Sequence, residues 1–340
     1  MTRWIVLSAL CAARLGAQQK PASELKPVNG ALNEAFRVKP LNETLESPRQ
    51  LHELSDGLVL IGDGARLLAA DFATGKVDVK SELPGGDLVA LPGDSSVIMH
   101  PNGWYYLDGL RPIGMLPPSN PLVSSVHSIY GADDKGHILI QLPQRRQGDS
   151  ISVALVDRVT GDRQVVTKLW PGTSVERGTF RPVCQMFERA LLTRDGWLAV
   201  VRDNPYRVDW RNPSGEWALG APISAPLIPM TQRERDVYVE WRAREHPTLP
   251  RDTIRSWPET VCPWVGGYGP IATPDAKLVV YRVPTAEAPA TRYDLINRHG
   301  QVERQIAMPA SDAIVGFGRN SVFVITTEGG KQTIRRRPWP

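Results

Sequence analysis

Apolar residues in this chain come in short runs, each introduced by a turn of Gly, Asp or Asn. Ser55-Asp56-Gly57 precedes Leu58 to Ile61, Pro92-Gly93-Asp94 precedes Val97 to Met99, and Asp134-Lys135-Gly136 precedes Ile138 to Ile140. The pattern returns at Arg194-Asp195-Gly196 before Trp197 to Val201, and at Thr273-Pro274-Asp275 before Leu278 to Tyr281. It ends at Gly318-Arg319-Asn320 before Val322 to Ile325. Short β-branched runs bounded by turn formers predict strands. Adjacent units lie about 40 residues apart except around the fourth, the period of a propeller repeat.

A second echo follows within most units: a strand, a polar turn and another strand. Asp71 to Gly75, Asp157 to Gly161, Asp209 to Gly215 and Asp294 to Gly300 all fit, with Gly able to supply the positive φ of a tight hairpin. Each unit therefore reads as four strands, A to D. That is one blade of a β-propeller, favoured over a β-sandwich with coincidental spacing. The predicted fold is all-β, a six-bladed β-propeller over residues 35–340. Its last unit has room for one strand after Thr327, from Gln332 to Trp339, so a strand at Ala35–Leu41 is expected to close the ring.

Asp195 to Arg202, continuing through Pro205 to Trp210, resembles uncharacterised exported bacterial six-bladed propellers. So do Tyr293 to Ile296 and the Val315-Gly316-Phe317-Gly318 ending. That group is loosely similar to TolB-like and NHL-repeat propellers. The resemblance covers residues 50–340, bears on fold rather than activity, and brings no functional residues with it.

Two insertions break the period, at 170–186 and 224–267. Both fall between strand D of one blade and strand A of the next, flanking the fourth blade on one face of the ring. Long loops on a rigid scaffold are a usual place for function. The larger insertion, between blades 4 and 5, predicts a helix from Gln232 to about His246. Thr231 and Glu234 are placed as a capping box, and Val237 and Trp241 as a narrow apolar stripe. Such a helix either covers the end of the propeller channel or binds a partner. Cys184 stands in the first insertion and Cys262 in the second. A disulfide between them is expected if the chain is exported, two unrelated buried thiols being the alternative.

Export is expected from the N-terminus. Arg3 and an apolar run from Trp4 to Ala13 precede Ala17, the pattern of a signal peptide over 1–17; a polar, Pro-containing stretch at 18–34 reads as a flexible leader. Leu10 before Cys11 argues against a lipid-anchoring box. Loss of Arg3 and Arg14, with no acid removed, lowers the formal net charge from +4 to +2. So near-neutral a chain gives no reason to expect nucleic acid as a partner, and no later segment is apolar enough to span a bilayer. A monomer in the periplasm or outside the cell is expected.

Motifs of catalysis are missing: the chain has no GxSxG, HExxH, P-loop or GxGxxG, and its histidines lack metal-ligand spacing. Two clusters remain. Glu53, Asp87, Glu188 and Asp312 lie near the starts of four candidate A strands and are placed to converge at the channel mouth. Their oxygens would suit calcium or another divalent cation, unless they are solvated loop acids. Arg177, Arg181, Arg202, Tyr206, Arg207, Trp264 and Tyr268 fall in or beside loops of the inserted face. Arginine with aromatics either binds an anionic or sugar-like ligand or packs the long loops. The reading favoured is a non-catalytic, cofactor-free binding or scaffold propeller for a peptide, protein loop or polar small molecule. The alternative is a metal-dependent hydrolase or lactonase using the four carboxylates.

Overall fold

The computed structural model describes residues 41, 45–46, 48–80, 83–124, 126, 128–144, 146, 149–170, 188–203, 205–245, 257, 259–261, 269–329 and 331–339. These form six antiparallel blade sheets in chain order and one small ribbon. Blade 1 holds β1 (Pro48–Glu53), β2 (Val59–Asp63), β3 (Arg66–Asp71) and β4 (Lys76–Val79). Blade 2 holds β5 (Asp87–Ala90), β6 (Ser95–His100), β7 (Gly103–Asp108) and β8 (Arg111–Leu116), and a short helix α1 (Pro121–Ser124) follows. Blade 3 is β9 (Ser128–Ala132), β10 (His137–Gln141), β11 (Ile151–Asp157) and β12 (Arg163–Leu169). Blade 4 is β13 (Arg189–Leu192), β14 (Leu198–Arg202), β15 (Arg207–Arg211) and a two-residue β16 (Trp217–Ala218). The insertion contributes β17 (Ile228–Pro229), α2 (Gln232–Glu245) and β18 (Thr260–Val261), with β17 and β18 paired. Blade 5 is β19 (Ile271–Ala272), β20 (Leu278–Arg282), β21 (Thr291–Ile296) and β22 (Val302–Met308). Blade 6 is β23 (Asp312–Phe317), β24 (Ser321–Glu328) and β25 (Lys331–Pro338). The protein is a six-bladed β-propeller.

The apolar runs of the sequence are the second strands of the blades, β2, β6, β10, β14, β20 and β24. Each is apolar on consecutive residues because both of its faces are covered by neighbouring blades. Along β2, Val59 and Ile61 pack towards blade 6, while Leu60 packs towards blade 2. Each seam between consecutive blades carries one such apolar core. A fully buried side chain of this kind is worth about 1.5–3 kcal/mol.

The ring closes where a segment preceding β1 meets the last blade. Leu45 N donates to the Gln332 carbonyl at 3.2 Å, an antiparallel bridge on the outer edge of β25. Leu45 and Leu41 are buried in the core between blades 6 and 1. Of the expected donor segment 35–41, Leu41 alone lies within the described residues.

Strand direction gives the ring two faces. The turn face carries the A–B turns and C–D hairpins, and pairs between blades lock it. The Ser55 amide donates to Asp94 at 2.6 Å, and Arg298 pairs with Asp195 while lying 4.7 Å over the Trp197 ring. The insertion face carries the B–C loops and the D–A connections. Here α2 docks through Trp241, one of the two stripe residues expected, with Tyr238 in place of Val237. Tyr238 and Trp241 pack on the core between blades 5 and 6, and Trp241 stacks on Tyr281 at 6.4 Å. The capping box is half formed. The Glu234 amide donates to Thr231 Oγ1 at 3.3 Å, but the buried Glu234 carboxylate accepts from Ala286 N of the blade 5 B–C loop at 2.9 Å. An acid expected to cap its own helix instead pins that helix to a blade. No helix among the described residues is long and apolar enough to cross a membrane.

Candidate binding face

The innermost strands β1, β5, β9, β13, β19 and β23 surround a channel of about 1110 Å³. Its wall mixes apolar and polar surface in nearly equal measure, with Leu51, Leu88, Ile129, Leu191 and Val315 among the lining residues, and Trp241 reaches it from α2. Polar groups also line it. Gln50 lies towards the start of β1 and Arg189 opens β13. Tyr130 of β9 donates through its hydroxyl to Gln141 at the end of β10. Burial raises the Tyr130 pKa, and Arg189 works against that shift. Two polar atoms on lining residues have no hydrogen-bond partner: Oε1 of Gln332, a residue 6% exposed, and Nε1 of Trp241.

Three residues of the cationic and aromatic cluster are described, and two of them come together. Arg202 ends β14 and Arg207 begins β15, register partners across the B–C loop. Both point at Asp209, which is 1% exposed: Arg202 Nε lies 3.0 Å from it and Arg207 Nε 2.8 Å. Arg202 also donates to Glu188 at 2.8 Å, to the Lys168 carbonyl at 3.1 Å and to Thr167 Oγ1 at 3.3 Å. Tyr206 is not at a surface. It is 2% exposed in the core between blades 4 and 5, and its hydroxyl donates to Asp294 at 3.2 Å. Burial, with the Asp294 charge adding to it, holds its pKa well above the usual phenol value. Arg177, Arg181, Trp264 and Tyr268 lie outside the described residues, as do Cys184 and Cys262.

The four carboxylates do not share one mouth. Asp87 and Asp312 open β5 and β23, and Glu188 immediately precedes β13, all towards the insertion face. Glu53 is the last residue of β1 and belongs to the turn face, where it accepts from the Arg319 amide at 2.8 Å and pairs with Arg336. The expectation that all four stand near strand starts is thus corrected for Glu53: the turn at Ser55 follows its strand. The others are engaged as well, Glu188 by Arg202, Asp312 by Arg337 at 3.5 Å, and Asp87 by Gln50 at 3.5 Å. Among the described residues no three His, Cys, Asp or Glu side chains group as metal ligands would.

Sequence reasoning missed the acids that organise this face. Asp209 and Asp294 occupy the same register in blades 4 and 5, opposite Val200 and Val280. Asp294 is fully buried and accepts from Arg282 at 2.6 Å and from Gln305 at 2.8 Å. The signal was present: an Arg ending the second strand, then Arg-x-Asp opening the third, at Arg202…Arg207-Val208-Asp209 and at Arg282…Arg292-Tyr293-Asp294.

No protein-family model matches the chain, and no curated protein does. Solved structures of similar shape include regucalcin, a calcium-binding protein of Agrobacterium tumefaciens, at 10% identity and a TM-score of 0.46 over 89% of this chain and 93% of that one. A streptogramin B lyase is similar at 12% identity and a TM-score of 0.42, over 89% of this chain and 87% of that one. TolB from Acinetobacter baumannii is similar at 15% identity and a TM-score of 0.40, over 80% of this chain and 58% of that one. These likenesses extend to overall shape and not to activity.

Proposed function

We propose that this is a non-catalytic binding propeller, acting in the periplasm or outside the cell, which admits a peptide, protein loop or polar small molecule from the insertion face. The observation that carries the reading is the channel. Its volume of about 1110 Å³ suits a ligand of that size, and its wall offers apolar surface to bury one together with polar groups to orient it. Trp241 Nε1 and Gln332 Oε1 add a donor and an acceptor that the chain leaves unused. The insertion that carries α2 stands on that face, where it can enclose more of a ligand than a bare rim.

Screening a peptide and small-molecule library by calorimetry against the whole chain, then repeating each hit with Trp241→Ala, tests this. Hits that weaken at least tenfold in the variant support the reading. Hits indifferent to Trp241, or a ligand found crystallographically on the turn face, overturn it. Metal content of the purified protein, with hydrolysis of a lactone panel, separates it from the metal-dependent hydrolase.

A further inference from the structure

Blades 4 and 5 repeat one arrangement, and its charges balance in the first copy only. In blade 4 two arginines meet two carboxylates: Arg202 and Arg207 share Asp209, and Arg202 also holds Glu188. In blade 5, Arg282 and Arg292 stand in the same register as Arg202 and Arg207, and Asp294 in that of Asp209. There Arg282 Nε takes one oxygen of Asp294, which also accepts from Tyr206, and Gln305 takes the other. Arg292 therefore makes no bond equivalent to that of Arg207, and its Nε has no partner. Arg282 is 4% exposed and its Nη2 has no partner either.

Among the described residues, the acceptors that complete Arg202 have no counterparts in the second copy. Glu188 stands five residues before Thr193 of the A–B turn; five before the equivalent Thr273 the sequence has Tyr268, which carries no charge. Thr167 and Lys168, which also accept from Arg202, belong to β12, the seven-residue outer strand of the preceding blade. The outer strand preceding blade 5 is β16, with two residues. Arg282 lies instead 5.3 Å over the Tyr206 ring, a contact that uses its face and none of its donors. Buried guanidinium donors without an acceptor are costly and call for an occupant. Burial and the neighbouring Arg282 charge also lower the Arg292 pKa, against the opposing pull of Asp294.

We infer that the insertion-face end of the seam between blades 4 and 5 is a carboxylate site, where Arg282 and Arg292 hold the carboxylate of a ligand in the role that Glu188 plays beside Arg202. A carboxylate is the group that serves the same arginine in the sister blade, and it matches the guanidinium fork. This rests on the proposed binding function only in supplying the chemical class of its ligand. The site itself can be tested without that ligand.

The probe is acetate, titrated into the dialysed full chain at constant ionic strength against chloride. Readouts are the arginine Nε–Hε resonances and the melting temperature. Saturable shifts of the Arg282 and Arg292 resonances with a rise in melting temperature are expected. Arg292→Gln should weaken acetate at least tenfold, while Arg335→Gln on blade 6 leaves it within twofold. If Arg292→Gln fails to fold, Arg292→Lys keeps the charge, loses the fork and should weaken acetate by a smaller factor. A wild-type response that is absent or non-saturable, or equal in the Arg292 variants, overturns the site. Inorganic phosphate binding tenfold more tightly than acetate overturns the carboxylate assignment. Acetate binding at the arginines, with no library ligand sensitive to Trp241, would sustain this inference and remove the channel reading.

Discussion

Nδ1 of His52, on the innermost strand of blade 1, lies 2.8 Å from Oγ of Ser96 on blade 2, inside the seam between them. The other ring nitrogen, Nε2, lies 3.1 Å from the Gly93 carbonyl, so the neutral ring donates through Nε2 and accepts the serine hydroxyl at Nδ1. Burial, with the Arg194 charge assisting, lowers the His52 pKa from 6.5 to about 4.

The sign of the pH dependence follows from that shift. Between pH 4 and 6.5 the unfolded chain binds a proton at this position that the folded chain refuses, so stability falls as pH drops through the window. The loss is on the order of 3 kcal/mol and is absent above pH 6.5. Denaturant unfolding of wild type and His52→Gln across this range checks it. An unchanged pH slope in the variant would exclude His52 as the cause.

Ala276 has φ +60 in the A–B turn of blade 5, where the matching turns of blades 1, 3 and 4 have Gly57, Gly136 and Gly196. Its turn is otherwise the same, with Ala276 N donating to the Thr273 carbonyl at 3.0 Å as Gly196 N does to Thr193 at 2.9 Å. Relief of left-handed strain outweighs the added freedom of glycine in the unfolded chain, so Ala276→Gly should stabilise the ring by about 0.5–1 kcal/mol. Thermal unfolding of the variant shows the gain or its absence.

Arg202 and Arg207 share Asp209 unequally. Arg202→Ala removes a partner from Asp209 and from Glu188 together, and should cost about 3–5 kcal/mol. Arg207→Ala leaves Asp209 with Arg202 and with the Gly220 amide at 3.2 Å. It should cost about 1 kcal/mol. Equal losses in chemical denaturation would show that the pairs are not organised this way.

What was legible in the sequence is what local physics controls. The second strands stood out because burial on both faces makes them apolar residue after residue, and their turns because four-residue geometry demands particular side chains. The position of Glu53 was misread because a turn marks the end of a strand more sharply than its beginning. Tyr206 looked like a surface group because nothing local announces that Asp294, from the next blade, will take its hydroxyl. Likewise Trp241 of the expected stripe docks with Tyr238 rather than Val237 beside it, on a helix that the distant Ala286 amide pins through Glu234. The Arg-x-Asp repeat was visible, but its unequal charge balance appears only when partners are assigned in space.

Leu45→Ala should destabilise the whole ring by about 2–5 kcal/mol, since it opens a cavity in the core shared by the first and last blades. Deleting 35–46 should lower the melting temperature further by exposing the edge of β25. An unchanged melting temperature in the deletion would show that the bridge to Gln332 contributes nothing to closure.

Cys184 and Cys262 are proposed to form a disulfide joining the two insertions, worth on the order of 4 kcal/mol at most on the chain-entropy model. Non-reduced peptide mapping by mass spectrometry of protein folded under oxidising conditions should recover the linked pair. Two free thiols there would refute it.

The bridge between Leu45 and Gln332 sets an order of events during biosynthesis. Five blades can assemble while the chain is still emerging, but the sixth has no outer partner until its final strand swings back to a segment made near the outset. Until then the structure is an open arc with two unpaired margins, each a template for association with another nascent copy. Among the hydrogen bonds of the described residues the latch spans the longest stretch of sequence, so it bears a large loop-closure cost and should form late. Pairing of β25 with the Leu45 segment is therefore the step that commits the molecule to its finished form.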